Sequence, residues 1–145
     1  MEIAKRPVEE QRLALRQVAA AQSQLPRLVR DAPTTIFELA ISYHLDLAWM
    51  RSAIVTVAVE RYRRAHSRFP ETLNDLVPTY LAAVPTDPYD GAAIRLRRFP
   101  EGVVLYSVGE DGVDNGGNIA TMGRPGIDRG WRLWDVEHRR QIPAK

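Results

Sequence analysis

Between Pro33 and Pro70 the chain runs without a single glycine or proline. Those two residues are the strongest punctuators of local structure, and a long interval without them favours a helix over strands and turns. The apolar residues agree. Leu39, Ile41, Leu45, Ala48, Trp49, Ala53 and Val57 recur at three-to-four spacing. Ile54, Val55, Ala58, Val59 and Tyr62 form a cleaner stripe opposite Glu60, Arg61, Arg63 and Arg64. The pattern predicts one helix of about 30 residues, roughly 45 Å long. Ser42-Tyr43-His44 are weaker helix formers, so two helices are the alternative. At its start Thr35 and Glu38 match a capping box, in which a hydroxyl caps the third amide and a carboxylate reaches back.

The segment before this helix reads differently. Pro7 followed by Glu9 and Glu10 resembles a helix start, with acids at the positive end of the dipole. Val8, Leu15, Val18 and Leu25 keep partial helical spacing until Pro26, giving a thin apolar stripe. Asp31-Ala32-Pro33 then breaks the chain. The predicted division is a helical extension over 1–33 and an α+β domain over 34–145.

Behind the long helix the texture changes to short elements. Phe69 to Pro78 predicts a short helix entered and closed by proline, with Tyr80, Leu81 and Val84 packing back on the long helix. Pro85 to Gly91 is dense turn chemistry. Ala93 to Arg97 and Val103 to Val108 alternate or run apolar as strands, and Pro100-Glu101-Gly102 joins them as a hairpin. Period-two spacing puts Arg95 and Arg97 on one face, with Ile94 and Leu96 inward. A loop rich in Gly, Asp and Asn runs from Gly109 to Asp128, longer than loops in compact domains normally are without a reason. Trp131 to Val136 predicts a last strand with one tryptophan in the core and the other exposed, followed by a fraying polar tail.

Chemistry is mostly excluded. Zero cysteines remove disulfides, thiolate metal sites and a cysteine nucleophile. No apolar run approaches the roughly 20 residues of a membrane span. The sequence has no phosphate-binding loop, no serine elbow and no paired-histidine metal motif, and His44, His66 and His138 are scattered. Glu60 and Glu71 are expected to face solvent rather than form a catalytic pair. No enzyme is expected. The formal charge of +2 is too small to argue for nucleic acid. Arg61, Arg63, Arg64 and Arg68 crowd the helix end and Arg95, Arg97 and Arg98 the first strand. A small binding domain that engages an acidic ligand or partner through these arginines is the alternative function.

Five fragments then occur in a telling order. Ala58-Val59-Glu60-Arg61-Tyr62-Arg63 is followed by Phe69-Pro70-Glu71-Thr72-Leu73, by Leu76-Val77-Pro78 with Tyr80-Leu81, by Val84 to Gly91, and by Tyr106-Ser107-Val108-Gly109-Glu110-Asp111-Gly112. The series resembles the globular part of the major pseudopilin of type II secretion, over about Ile54 to Asp135. Phe37-Glu38-Leu39 is similar to that family's apolar helix start, but no glycine precedes it, and His44, Asp46 and Arg51 interrupt any membrane role. The resemblance implies a long helix on a small antiparallel sheet, and a non-enzymatic structural, assembly or protein-interaction module whose partners are other proteins or like subunits. It also implies an extracytoplasmic, periplasmic setting if the chain belongs to a longer anchored protein.

The Asp/Gly-rich loop carries the metal expectation. Calcium takes six to eight hard oxygens from a loop that wraps it. Asp111, Asp114, Asn115 and Asn118 supply oxygens among glycines, while Asp128 and Asp135 follow downstream. The resemblance implies the Val108 carbonyl, Asp111 and a later acid such as Asp128 as ligands. The expected set is therefore Val108, Asp111, Asp114, Asn115 and Asp128. The other reading of the same residues is structural: Asp and Asn side chains capping their own turns.

Overall fold

The Gly- and Pro-free interval folds as one unbroken helix, α1 (Thr34–His66). Its Ser42-Tyr43-His44 stretch does not divide it. The computed structural model describes residues 34–119 and 128–139, with Glu10, Gln11, Ala14, Gln17, Ala20 and Ala21. Over 34–40 it describes backbone, so the Thr35–Glu38 capping box lies outside the described side chains. The expected extension over 1–33 lies mostly outside as well; its described positions are helical, and Ala14 is buried. Arg63, Arg64 and His66 sit in the last turn of α1, where cations complement the dipole. Ser67, at φ 56°, closes the helix in the left-handed conformation usually given to glycine.

The expected short helix is a single 3-10 turn, Leu73–Leu76. The Asp75 carboxylate fixes its entry by accepting the amides of Glu71 and Thr72 at 2.9 and 3.0 Å. Tyr80, Leu81 and Val84 then return to the core as expected.

The sheet is three-stranded and antiparallel in the order β1-β2-β3, with β1 Arg95–Phe99, β2 Gly102–Ser107 and β3 Arg129–Trp134. Pro100 and Glu101 make the hairpin turn, since Phe99 pairs with Gly102. Two glycines let the strands close up. A Cβ at Gly102, whose φ is 149°, would run into the Leu133 carbonyl, and one at Gly130 into the Leu105 carbonyl. The fold is α+β.

Every residue of β2 is buried. A strand covered on both faces needs two covers, and the chain supplies them from different sources. On one face Val103 and Leu105 meet Val55, Ala58, Val59 and Tyr62 of α1, together with Phe69, Leu73, Leu76 and Ile94. On the other face lie Val104 and Tyr106, 0% and 4% exposed. The cover there is the Asp/Gly-rich loop: Gly117 lies so close that a Cβ would press on the Tyr106 ring and Val104. Helix, sheet and loop thus form three layers. Among the described residues, no helix is long and apolar enough to cross a membrane.

Several side chains depart from expectation. Ile54, placed in the core stripe by spacing, is 47% exposed. Trp131 and Trp134 do point to opposite faces, but neither is core. Trp131 leans on Trp49 with ring centroids 5.0 Å apart and donates to the Trp49 carbonyl at 3.2 Å. Trp134 lies beneath the Arg132 guanidinium at 4.9 Å. The start of the tail is also held, because Arg139 reaches back to Glu60.

Candidate functional site

The loop is anchored at both ends by carboxylates that face N–H and O–H donors. Asp87, from the Pro85–Gly91 turn, is fully buried. Its Oδ1 accepts the Tyr89 amide at 2.9 Å and the Ser107 hydroxyl at 2.8 Å. Its Oδ2 accepts the Val108 amide at 2.8 Å and the Arg95 guanidinium at 3.0 Å. One carboxylate therefore pins the turn to the end of β2, where the loop begins. A buried charge is tolerated only when its lone pairs are met in this way.

Arg95 joins the turn to the loop. Besides Asp87 it pairs with Asp90 and, through Nε, with Asp114 at 3.3 Å. Burial works against its charge, but the bond to Asp90 and the nearby acids outweigh it and strengthen its hold on the proton. Asp114 also accepts the Gly116 amide at 2.8 Å and the Tyr106 hydroxyl at 3.0 Å. The Gly116 amide, then the Tyr106 hydroxyl and Arg95, hold the Asp114 carboxyl below the usual range against some desolvation. Burial, helped by Asp114, pushes the Tyr106 phenol up to about 12. Arg97 ties the same layer down by donating to the Gly116 carbonyl at 2.6 Å.

Asp128 closes the far end. It is fully buried and accepts the amides of Asn115, Gly117 and Asn118 at 3.3, 2.8 and 3.1 Å. Burial raises its carboxyl above the usual value, with the amides pulling the other way. The Asp128 amide returns a bond to the Asn118 carbonyl, and Ile119 bridges Asp128 in parallel. The stretch between, 120–127, lies outside the described residues.

The five residues expected to hold calcium occupy different roles in this network. Asp114 and Asp128 converge on the Asn115–Gly117 backbone. Val108 is buried and gives its amide to Asp87. Asp111 is exposed and accepts the Val113 amide at 3.1 Å, while the Asn115 side chain donates to the Val113 carbonyl. The carboxylates of Asp111, Asp114 and Asp128 accept hydrogen bonds from backbone amides, and among the described residues no three acidic or histidine side chains group as a metal centre. An ion in this loop would have to displace some of those donors.

No family model, curated protein or solved structure matches this chain. Its site is therefore read from its own geometry.

Two roles escaped the sequence reading. Asp87 looked like one more turn residue, and the signal that distinguishes it is the Ser107-Val108 pair it clamps, far away in the chain. Glu60 was expected in solvent. Its side chain is only 18% exposed and lies among Arg63, Arg64 and Arg139, at 2.8, 3.1 and 2.7 Å. Arg63 first, then Arg139, hold its carboxyl far below the usual range.

Proposed function

We propose that this chain is a non-enzymatic assembly or protein-interaction module, of the kind its resemblance to the type II secretion pseudopilins implies. The observation that carries the reading is the outer side of α1. Tyr43, Met50, Ile54 and Val57 are each about half exposed or more, on a helix whose other side already fills the core. Scattered apolar surface residues need no explanation, whereas several along one helix mark an interaction surface. The layered cover of β2 supports the same reading, because it gives that helix a rigid backing.

The arginine-dependent alternative draws less support. Arg63 and Arg64 bond Glu60, Arg95 bonds Asp87 and Asp90, Arg97 bonds Gly116, and Arg98 donates to the Phe69 and Pro70 carbonyls. These cations serve the fold. Calcium remains part of the proposal through Val108, Asp111, Asp114, Asn115 and Asp128, and a melt with and without chelator tests it. A midpoint raised by calcium places the ion in the loop, and an unchanged one leaves the loop to its hydrogen bonds.

The module reading is tested by a photo-reactive residue at position 57 in the chain expressed in its own host. The expected result is a discrete protein adduct, with none from the same residue at position 110 on the loop. Absence of any adduct at position 57 overturns the reading.

A further inference from the structure

The sheet ends on one side in β1, a strand with backbone groups to spare. Phe99 pairs with Gly102 across a two-residue turn, so Phe99, Arg97 and Arg95 exchange their hydrogen bonds with β2. Leu96 and Arg98 are in the other phase and turn their N–H and C=O groups away from β2. Ile94 shares that phase and gives its amide to the Pro85 carbonyl at 2.9 Å. Thr86 bridges Ala93 antiparallel, so the chain itself begins a further strand beside β1. That strand goes no farther: Val84 turns in to pack on the core, and among the described residues no backbone group pairs with the outer edge at Leu96 and Arg98. A groove of about 310 Å³ opens beside this edge, with Leu73, Val84, Ile94 and Leu96 in its walls. Glu71, the acid in its lining, is engaged by Arg68 at 3.5 Å.

We propose that this edge takes an extended segment of another protein, added antiparallel to β1 and carrying acidic and apolar residues in alternation. The site is a second surface, separate from the outer side of α1. Extended backbone is the ligand because the free groups of Leu96 and Arg98 recur at every second residue, the spacing at which another strand presents their complements. In an antiparallel addition, the residues facing Leu96 and Arg98 make the hydrogen bonds and share the face of those two side chains. That face holds the groove walls of Leu73, Val84 and Ile94, so an apolar side chain fits there. The residue facing Arg97 lies on the opposite face of the sheet.

Charge decides what that residue is and where the segment comes from. The strand contains three arginines and no acid. Arg97 and Arg98 are exposed, and they donate to the carbonyls of Gly116, Phe69 and Pro70, which are neutral acceptors that leave both charges uncompensated. Opposite charges across a strand pair stabilise it, and like charges directly opposite destabilise it. An acid facing Arg97 therefore completes the pairing. A second copy of β1 fails on the same count. Two such strands joined antiparallel through Leu96 and Arg98 set Arg97 directly against its counterpart. Charged edge strands guard in this way against pairing with themselves.

Short synthetic peptides added to the full chain test this. A peptide of alternating glutamate and valine binds about tenfold or more tighter than one of alternating lysine and valine. N-methylation of its valines, whose amides face β1, abolishes binding, and N-methylation of its glutamates leaves it intact. On binding, hydrogen exchange slows at the Leu96 and Arg98 amides, while the Ile94 amide, already paired, changes little. Arg97→Glu reverses the preference between the two peptides, a gain that damage to the fold cannot imitate. Ile54→Asp leaves the binding unchanged, which separates this edge from the outer side of α1. Absence of binding by the glutamate–valine peptide overturns the proposal, as do equal binding of both peptides and indifference to valine methylation. Protection at Leu96 and Arg98 that grows with the concentration of the chain alone also overturns it, because two copies then pair. Loss of binding in Ile54→Asp does the same, because the peptide then sits on α1.

Discussion

The two sides of α1 are made of similar residues and have opposite fates. Val55, Ala58, Val59 and Tyr62 are buried against β2 and the returning 69–76 segment. Tyr43, Met50, Ile54 and Val57 carry comparable apolar surface and leave much of it in water. The difference lies in what each side faces. A single layer of strands takes a stripe at helical spacing, as Val55, Ala58, Val59 and Tyr62 provide, and asks no more of it. The outer side keeps the same four-three spacing as buried Ala48, Ser52, Val55, Val59 and Tyr62, but its side chains stay exposed. A helix that is apolar on two sides belongs in an assembly or under a second layer, and here only one of those sides is covered by the sheet.

The comparison breaks most visibly by placing the same charge on each side. Val59→Asp buries an unpaired carboxylate in the core and costs at least about 4 kcal/mol, enough to unfold a domain of ordinary stability. Ile54→Asp, five residues away on the other side, changes the stability of the dilute monomer by about 0.5 kcal/mol or less. Denaturant melts of the two variants at low concentration measure this. Similar losses for both would erase the distinction between core and outer side.

The loop layer gives the next largest effect. Asp87→Ala removes the partner of two amides, a hydroxyl and a guanidinium, and should cost about 3–5 kcal/mol. Because the clamp lies beneath the loop, hydrogen exchange at Gly116 and Gly117 should rise with it, while amides in the middle of α1 follow only the global stability. Unchanged protection at Gly116 and Gly117 would mean that the loop covers β2 without help from Asp87.

Smaller effects come from titration, and their signs differ. Glu60 has a lowered carboxyl, so its contribution is present above its ordinary value of 4.5 and is lost as pH falls toward the folded value. Asp114, also lowered, acts in the same direction, whereas Asp128, raised by burial, opposes them. Glu60→Gln should therefore cost about 1–3 kcal/mol at neutral pH and flatten the acid limb of stability against pH. Tyr106 works at the other end. With its phenol raised from 10.0 to about 12, it contributes below pH 10 and loses that contribution as pH climbs through 12. An ultraviolet phenol titration of Tyr106→Phe should lose a late-ionising component that the natural chain shows.

Much of this architecture was legible in the chain. The helix, the hairpin and the last strand follow from the missing Gly and Pro, from alternation, and from turn residues, which are local signals. Arg95 and Arg97 on one face with Ile94 and Leu96 inward came from the same period-two rule. What local signals could not show was pairing at a distance. Asp87 meets Ser107, Arg139 meets Glu60, and the Asp/Gly-rich loop folds onto Val104 and Tyr106. The loop's acids read equally well as metal ligands or turn formers because both uses need oxygens among glycines. Ile54 was misplaced for another reason: its neighbour Val55 belongs to the core, and treating both as one stripe merged two faces of the helix.

The central claim is that the outer side of α1 is an interaction surface, with like subunits among its proposed partners. The most direct measurement is the thermal midpoint of the intact chain over a thousandfold range of concentration, beside Ile54→Asp. Association that favours the folded state makes the midpoint depend on concentration. The account predicts a midpoint that climbs with concentration in the natural chain and stays flat in Ile54→Asp. A flat midpoint in both, or an equal climb in both, would contradict it.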